Sequence, residues 1–166
     1  MSAAGPVADR PWMPGYGIAT GVEGLLPWSW AVERLNLSRH YWVATSNAAG
    51  VPHLAAVWAV WDADALCFST GAQSRKARDL ATNPRCSITP AGASESVVVE
   101  GRALRLDAEA TARVREPYLA KYGLPFPDGD PVFAVRPSTV VAVIDGDPDF
   151  TERATRWRFD HDPYSG

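Results

Sequence analysis

The sequence predicts a mainly β domain in which antiparallel strands close into a small barrel, with short helices between them. Three observations carry this. About six apolar runs, rich in β-branched and aromatic residues, are bounded by short turns. Two or three intervening segments open on helix caps. The chain has 166 residues, 46% hydrophobic and 21% charged, the make-up of one globular domain. A chain of this length buries roughly 70% of its unfolded surface, so it builds a core without staples.

Residues Met1 to Pro27 are rich in Pro and Gly, show no period and read as irregular. Gly15, Gly17 and Gly21 lack the spacing and the preceding strand of a dinucleotide fingerprint. Trp28 to Leu37 forms a short helix. Tyr41 to Ser46 is a strand, Asn47 to Gly50 a turn, and Val51 to Trp61 a second, longer strand. Asp62 to Asp64 turns back into a strand over Leu66 to Thr70. Ser74 to Thr82 is a helix that stops before Asn83-Pro84. Strands follow over Arg85 to Thr89 and Val97 to Leu106. Asp107 caps a helix running to Tyr122, Gly123 to Pro131 is a loop, and Val132 to Ile144 is strand. Thr155 to Phe159 offers a last strand. The chain divides into residues 1–37, an irregular segment and lead helix packed on the barrel, then 38–146, the barrel itself, and 147–166, a C-terminal tail.

The run Leu54-Ala-Ala-Val-Trp-Ala-Val-Trp61 is apolar on both faces. An antiparallel strand with one wet face alternates, so something must cover the outer face here. A helix of the same chain or a second copy of the protein serves equally. Val97 to Val99 and Val140 to Ile144 repeat the pattern, and the expectation is a homodimer joined sheet to sheet.

Composition excludes several functions. The formal net charge is −3 and the pI about 5.6, which argues against a nucleic-acid binder held by bulk positive charge. Two cysteines make no disulfide scaffold, and a reduced, cytoplasmic setting is expected. No apolar run approaches the ~18–20 residues of a membrane span, and the first residues do not read as a signal peptide. His40, His53 and His161 are far apart without ligand spacing, so no metal site is expected. Cys67 reads as a small core residue. No Gly-x-Ser-x-Gly elbow is present.

Of the 16 basic residues only Lys76 and Lys121 are lysine. An arginine excess of this kind marks a G- and C-rich genome, which makes the lysines the more informative cations. The strongest local signal is Phe68-Ser-Thr-Gly-Ala-Gln-Ser-Arg-Lys-Ala-Arg-Asp-Leu80. A strand ends in two hydroxyls, and after a glycine loop a helix opens at Ser74 with Arg75 and Lys76 in its first turn. The first N–H groups of a helix are unpaired and carry partial positive charge. Cations there oppose the dipole by ~0.3–1 kcal/mol each, less than the ~1.5–3 kcal/mol of a charge-assisted hydrogen bond. Their placement makes sense if an anion binds at that spot. By spacing alone, a solvated basic face remains the alternative.

From His40 to Leu106, with weaker support over Val132 to Ile144, the order of strand, Phe-Ser-Thr, loop, Ser-Arg-Lys, helix and Asn-Pro-Arg resembles the FMN-binding split β-barrel of pyridoxamine 5′-phosphate oxidase and its relatives. The resemblance makes residues 38–146 a cofactor-binding domain. It implies that Ser74, Arg75 and Lys76 hold the cofactor phosphate and that Ser69 and Thr70 also contact the cofactor. It further implies that backbone of Ala55, Ala56 and Val57 lines the ring and that Ser96 contributes from the partner subunit. Leu54, Ala59 and Ser96 replace polar residues of the oxidase itself, Asp79 stands where many relatives have Asn, and the oxidase's C-terminal basic motif is missing from Thr155 to Phe159. The phrase Gly-Val-Pro-His-Leu-Ala-Ala-Val-Trp is closer to flavin/deazaflavin oxidoreductases of actinobacterial type, many of which use reduced coenzyme F420.

The implied function is hydride transfer from F420 to a small conjugated substrate such as a quinone, enone or tetrapyrrole. The alternatives are an FMN-dependent oxidase or reductase, or a carrier of flavin, deazaflavin or haem. A hydride-carrying cofactor needs no protein nucleophile, which agrees with the missing catalytic dyad. Small residues at Ala55, Ala56 and Ala59 leave room for a flat ring or reflect alanine's abundance. Trp58 is a candidate cofactor contact, although it and Trp61 fit the core more readily. Trp157 is a candidate to close over the site from the tail, and the aromatic N-terminal segment is a candidate lid.

Overall fold

The computed structural model describes residues 5–160, so His161 lies outside the described residues. In chain order the elements are β1 (Val7–Asp9), α1 (Trp28–Leu37), β2 (Tyr41–Ser46), β3 (Pro52–Val57), β4 (Ala59–Asp62), β5 (Ala65–Ser69), α2 (Arg75–Thr82), β6 (Arg85–Pro90), β7 (Glu95–Arg105), α3 (Ala108–Tyr122), β8 (Val132–Ile144), α4 (Asp149–Arg153) and β9 (Thr155–Arg158). Every strand pairing among the described residues is antiparallel.

The strands run in the order β1-β9-β8-β7-β6-β2-β3, and β4 and β5 branch off because β5 also pairs with β8. The long strand β8 is where the sheet divides. It lies along β7 throughout, gives Val132–Val135 to β5 and gives Thr139–Ala142 to β9. The β7/β8 ladder slips at Glu100/Gly101, a bulge that lets the sheet bend. Only glycine fits there: a Cβ on Gly101 would stand 1.9 Å from the Arg136 carbonyl oxygen, which is backbone and cannot yield.

The expected single strand over Val51 to Trp61 is two strands. β3 pairs with β2, whereas β4 pairs with β5. Trp58 alone separates them, so covalent continuity at Trp58, not a ladder, closes the barrel on this side. A second correction concerns the termini. Val7–Asp9 is not irregular but pairs with β9, clamped by Arg156, whose Nε and Nη2 donate to the Asp9 carboxylate at 2.7 and 2.9 Å. Trp157 does not close over a site. It is 1% exposed inside the barrel, edge-on to Trp28, because β9 alternates and its inward position is Trp157.

Two cores result. The main one fills the barrel with Tyr41, Val43, Leu66, Phe68, Ile88, Val99, Val135, Val140 and Trp157. The smaller one lies between α3 and the other face of β4, β5 and β8, with Val60, Cys67, Val114, Tyr118, Phe126 and Ala134. Helix α3 starts where Asp107 accepts the Ala110 N–H (2.8 Å) and ends on Gly123 in the left-handed region (φ 74°), as its sequence predicts. Among the described residues no comparable cover lies over the outer face of β3 and β2, where Leu54 and Trp42 are 60% and 44% exposed.

Candidate functional site

Helix α2 begins as its residue types dictate. Ser74 is the N-cap, its Oγ accepting the Ala77 N–H at 3.2 Å, and Thr70 Oγ1 lies 3.1 Å from the same oxygen. Thr70, at the end of β5, therefore holds the cap. Lys76 leaves the first turn toward a cavity of about 280 Å³ lined by His40, Ala56, Val57, Trp58, Ser69, Lys76, Tyr118, Pro127 and Asp130. Lys76 makes no hydrogen bond or ion pair among the described residues. Ser69 Oγ is buried and has no hydrogen-bond partner among the described residues.

Arg75 points elsewhere. Its Nη2 donates to the Pro52 carbonyl (3.2 Å) and its Nε lies 3.9 Å from the Asp79 carboxylate. It faces a separate groove with Arg78 beside the Asn47 turn. Asp79 is 5% exposed and accepts a hydrogen bond from Thr45 Oγ1 at 2.9 Å, so its carboxylate is engaged by β2. The two basic residues of the Ser-Arg-Lys segment thus divide: Arg75 ties the helix to β3, and Lys76 is left for the cavity.

Of the residues singled out from sequence, the cavity gathers Ala56, Val57, Trp58, Ser69 and Lys76. Thr70 and Ser74 support it from behind. Ala55, paired with Val43 on the same face of β3 as Val57, is not among the lining residues. Ser96 stands on β7 opposite Val143 and is not among the cavity's lining residues in this single chain. Trp58 is not a core residue: it is 42% exposed, and its ring stacks on Tyr122 with centroids 5.1 Å apart and planes 7° apart. Trp61 is packed against the main core, as expected.

Sequence reasoning missed His40, Tyr118, Pro127 and Asp130. They come from the start of β2, from α3 and from the Gly123–Pro131 loop, and no local pattern joins them. Tyr118 alone carried a signal, since it shares a helix face with Val114 and Tyr122. Burial pushes the Cys67 and Cys86 thiols up to about 12, so neither is an activated nucleophile. No helix among the described residues is long and apolar enough to cross a membrane.

An antiparallel barrel divided at β8 is the fold that the sequence resemblance implied. The profile of the family described as pyridoxamine 5′-phosphate oxidase matches residues 31–147. The chain belongs to this family. No curated protein sequence matches it. Solved structures do. The conserved hypothetical protein Rv2991 from Mycobacterium tuberculosis is 22% identical with a TM-score of 0.64, over 75% of this chain and 88% of that one. An F420 reductase is 22% identical with a TM-score of 0.54, over 65% and 93%. The heme storage protein HutZ from Vibrio cholerae is 17% identical with a TM-score of 0.52, over 66% and 87%. At these identities the likeness is one of fold: this pyridoxamine 5′-phosphate oxidase-like protein is a split β-barrel.

Proposed function

We propose that this member of the pyridoxamine 5′-phosphate oxidase family is an oxidoreductase that uses reduced coenzyme F420 to reduce a small conjugated organic substrate, working in the cytoplasm as a homodimer. The observation that carries the reading is the unpartnered Ser69 hydroxyl beside the unpartnered Lys76. A buried hydroxyl without a partner costs about 1–3 kcal/mol, a cost that a ligand's acceptor removes. Trp58 lines the same cavity, so one site offers an anion contact, a polar contact and an aromatic side chain. These residues fit a cofactor that joins a planar ring to a phosphate-bearing tail.

In this reading Lys76 and the capped start of α2, with Ser69, Thr70 and Ser74, hold the anionic tail. Arg75 acts by fixing α2 to β3. Backbone of Ala55, Ala56 and Val57, with Trp58, borders the ring. Ser96 belongs to the site through a second protomer docked on the open face of β3 and β2, which adjoins the cavity at Ala56. When bound, a reduced deazaflavin supplies two electrons and a proton as hydride, and the reduced product takes its second proton from water. The protein's share is to anchor, orient and exclude water.

The test is a fluorescence titration of the purified protein with FMN and, separately, with F420. F420 is expected to bind, and Lys76→Ala is expected to weaken it by about 1.5–3 kcal/mol, roughly 10–150-fold. Arg75→Ala is expected to cost less, because Arg75 already serves Pro52 and Asp79. Tight FMN binding without F420 binding overturns the cofactor. F420 binding with no oxidation of its reduced form by a panel of quinones and enones overturns the enzyme in favour of a carrier.

A further inference from the structure

The barrel seam at Trp58 leaves a strand end without a neighbour. Ala59 opens β4, which among the described residues pairs only with β5, and the Ala59 N–H and C=O are taken by side chains from the last turn of α3. Tyr122 Oη accepts the Ala59 N–H at 3.0 Å and shares its own proton between the Ala59 carbonyl (2.8 Å) and the Arg39 carbonyl (3.0 Å). Lys121 Nζ donates to the Ala59 carbonyl at 3.0 Å and to Tyr41 Oη at 2.8 Å. Arg39 returns the link by donating from Nη1 to the Lys121 carbonyl at 2.5 Å, which satisfies one of the carbonyls a helix end leaves open. The phenol ring that makes these bonds is the ring on which Trp58 lies flat.

We propose that Tyr122 and Lys121 are positioning residues that latch the seam and so hold Trp58 as the ring-facing wall of the cavity. This rests on the cofactor reading above and extends it. The site has two independently built ends. Its anion end is set by the Ser74 cap and Lys76 on α2, and its ring end is set by α3 through Ala59. No hydrogen bond or ion pair connects Lys76 to Lys121, Tyr122 or Ala59. A backbone group that loses its partner here has no strand to turn to, so removing one hydroxyl loosens Trp58. Tyr118 continues the wall, its ring 4.7 Å from Tyr122 and its helix the same.

The experiment compares Tyr122→Phe, which keeps the stacked ring and removes the hydroxyl, with Lys76→Ala in the full chain. The ligands are F420 and tail-free 5-deazariboflavin. Tyr122→Phe is expected to raise both dissociation constants by about fivefold or more, the worth of one hydrogen bond. Lys76→Ala is expected to raise only that of F420. In the ligand-free protein, Tyr122→Phe is expected to speed hydrogen exchange at the Ala59 amide by about tenfold or more. It should also shift the emission assigned to Trp58 by difference from Trp58→Phe. Unchanged exchange and emission in a folded Tyr122→Phe protein overturn the latch, whatever the cofactor. Unequal losses in Tyr122→Phe, with F420 weakened and the tail-free ring not, overturn the division into two ends. If the wild type binds neither ligand, the cofactor reading fails, and exchange and emission still decide the latch.

Discussion

Leu54 and Val60 belong to one uninterrupted apolar run, yet Leu54 is 60% exposed and Val60 is 3% exposed. The run crosses the barrel seam. On the Val60 side, helix α3 lies over β4 and β5 and seals a second core around Tyr118 and Phe126. On the Leu54 side the outer face of β3 stays open, next to the exposed Trp42 of its neighbour β2. A two-faced apolar strand thus had two ways to be covered, and this chain uses its own helix for one half and leaves the other half exposed among the described residues. The lesson is that an apolar pattern states a need for cover without naming its source.

That contrast can be broken most sharply by a charge. Val60→Asp puts an unpaired carboxylate between β4 and α3 and is expected to cost about 3–5 kcal/mol, read as a large loss of the urea midpoint or as failure to fold. Phe126→Ala, which opens the floor of the same small core, is expected to cost about 3 kcal/mol in the same measurement. Leu54→Asp should behave oppositely. Its direct cost to the folding of one chain is expected to stay within about 0.5 kcal/mol, while sedimentation equilibrium shows a shift from dimer toward monomer. If Leu54→Asp destabilises the monomer as strongly as Val60→Asp, the open face is an error. If it leaves a dimer intact, the partner docks elsewhere.

The smallest effect is one of pH, and it too sits mainly on the α3 side. Burial lowers Lys121 from 10.5 to about 8, helped by the nearby Arg39 charge. Between about pH 8 and 10.5 the unfolded chain therefore binds more protons at this residue, and stability rises with pH there. Burial raises Cys67 and Cys86 from 9.0 to about 12 and lifts Tyr41, Tyr118 and Tyr122 above 10. The folded state holds those protons more tightly, so stability falls as pH climbs past 9 and 10. Only between pH 8 and 9 is the rise from Lys121 unopposed. Lys121→Met is expected to abolish that rise and keep the later fall, as followed by urea unfolding at stepped pH. On the acid side, the Arg156 hydrogen bonds hold the Asp9 carboxyl below 3.8, so the β1–β9 clamp contributes stability that is lost as pH falls through that range.

Much of the fold was legible because its signals are local. Ser74 and Asp107 supply side-chain oxygens to helix N–H groups within their own turns, and Gly123 supplies the left-handed stop. Tyr41–Ser46 alternates buried and exposed along one strand. The strand break at Trp58 had no such mark, because a change of pairing partner leaves no trace in an apolar run. β1 was too short to announce itself and exists through β9 and the Asp9–Arg156 pair. The alternation in Thr155-Arg-Trp-Arg158 did carry the burial of Trp157, read here as a site residue only because aromatic rings near a terminus invite that use. At the site, Ser69 and Lys76 were visible in the Phe-Ser-Thr and Ser-Arg-Lys phrases. His40, Tyr118, Pro127 and Asp130 were not, since they meet only after β2, α3 and the following loop pack together.

By itself the sequence determined where chain segments start, stop and turn, which face of each must be dry, and which helix opens on hydroxyls and cations. These follow from bonds made within a few residues and from side-chain period. Only tertiary structure decided that the apolar run divides at Trp58, that α3 covers one half, and that Arg75 and Lys76 part company. Those outcomes depend on which distant groups reach Ala59, Asp79 and Pro52, and such competition is resolved by packing, not by neighbours in the chain.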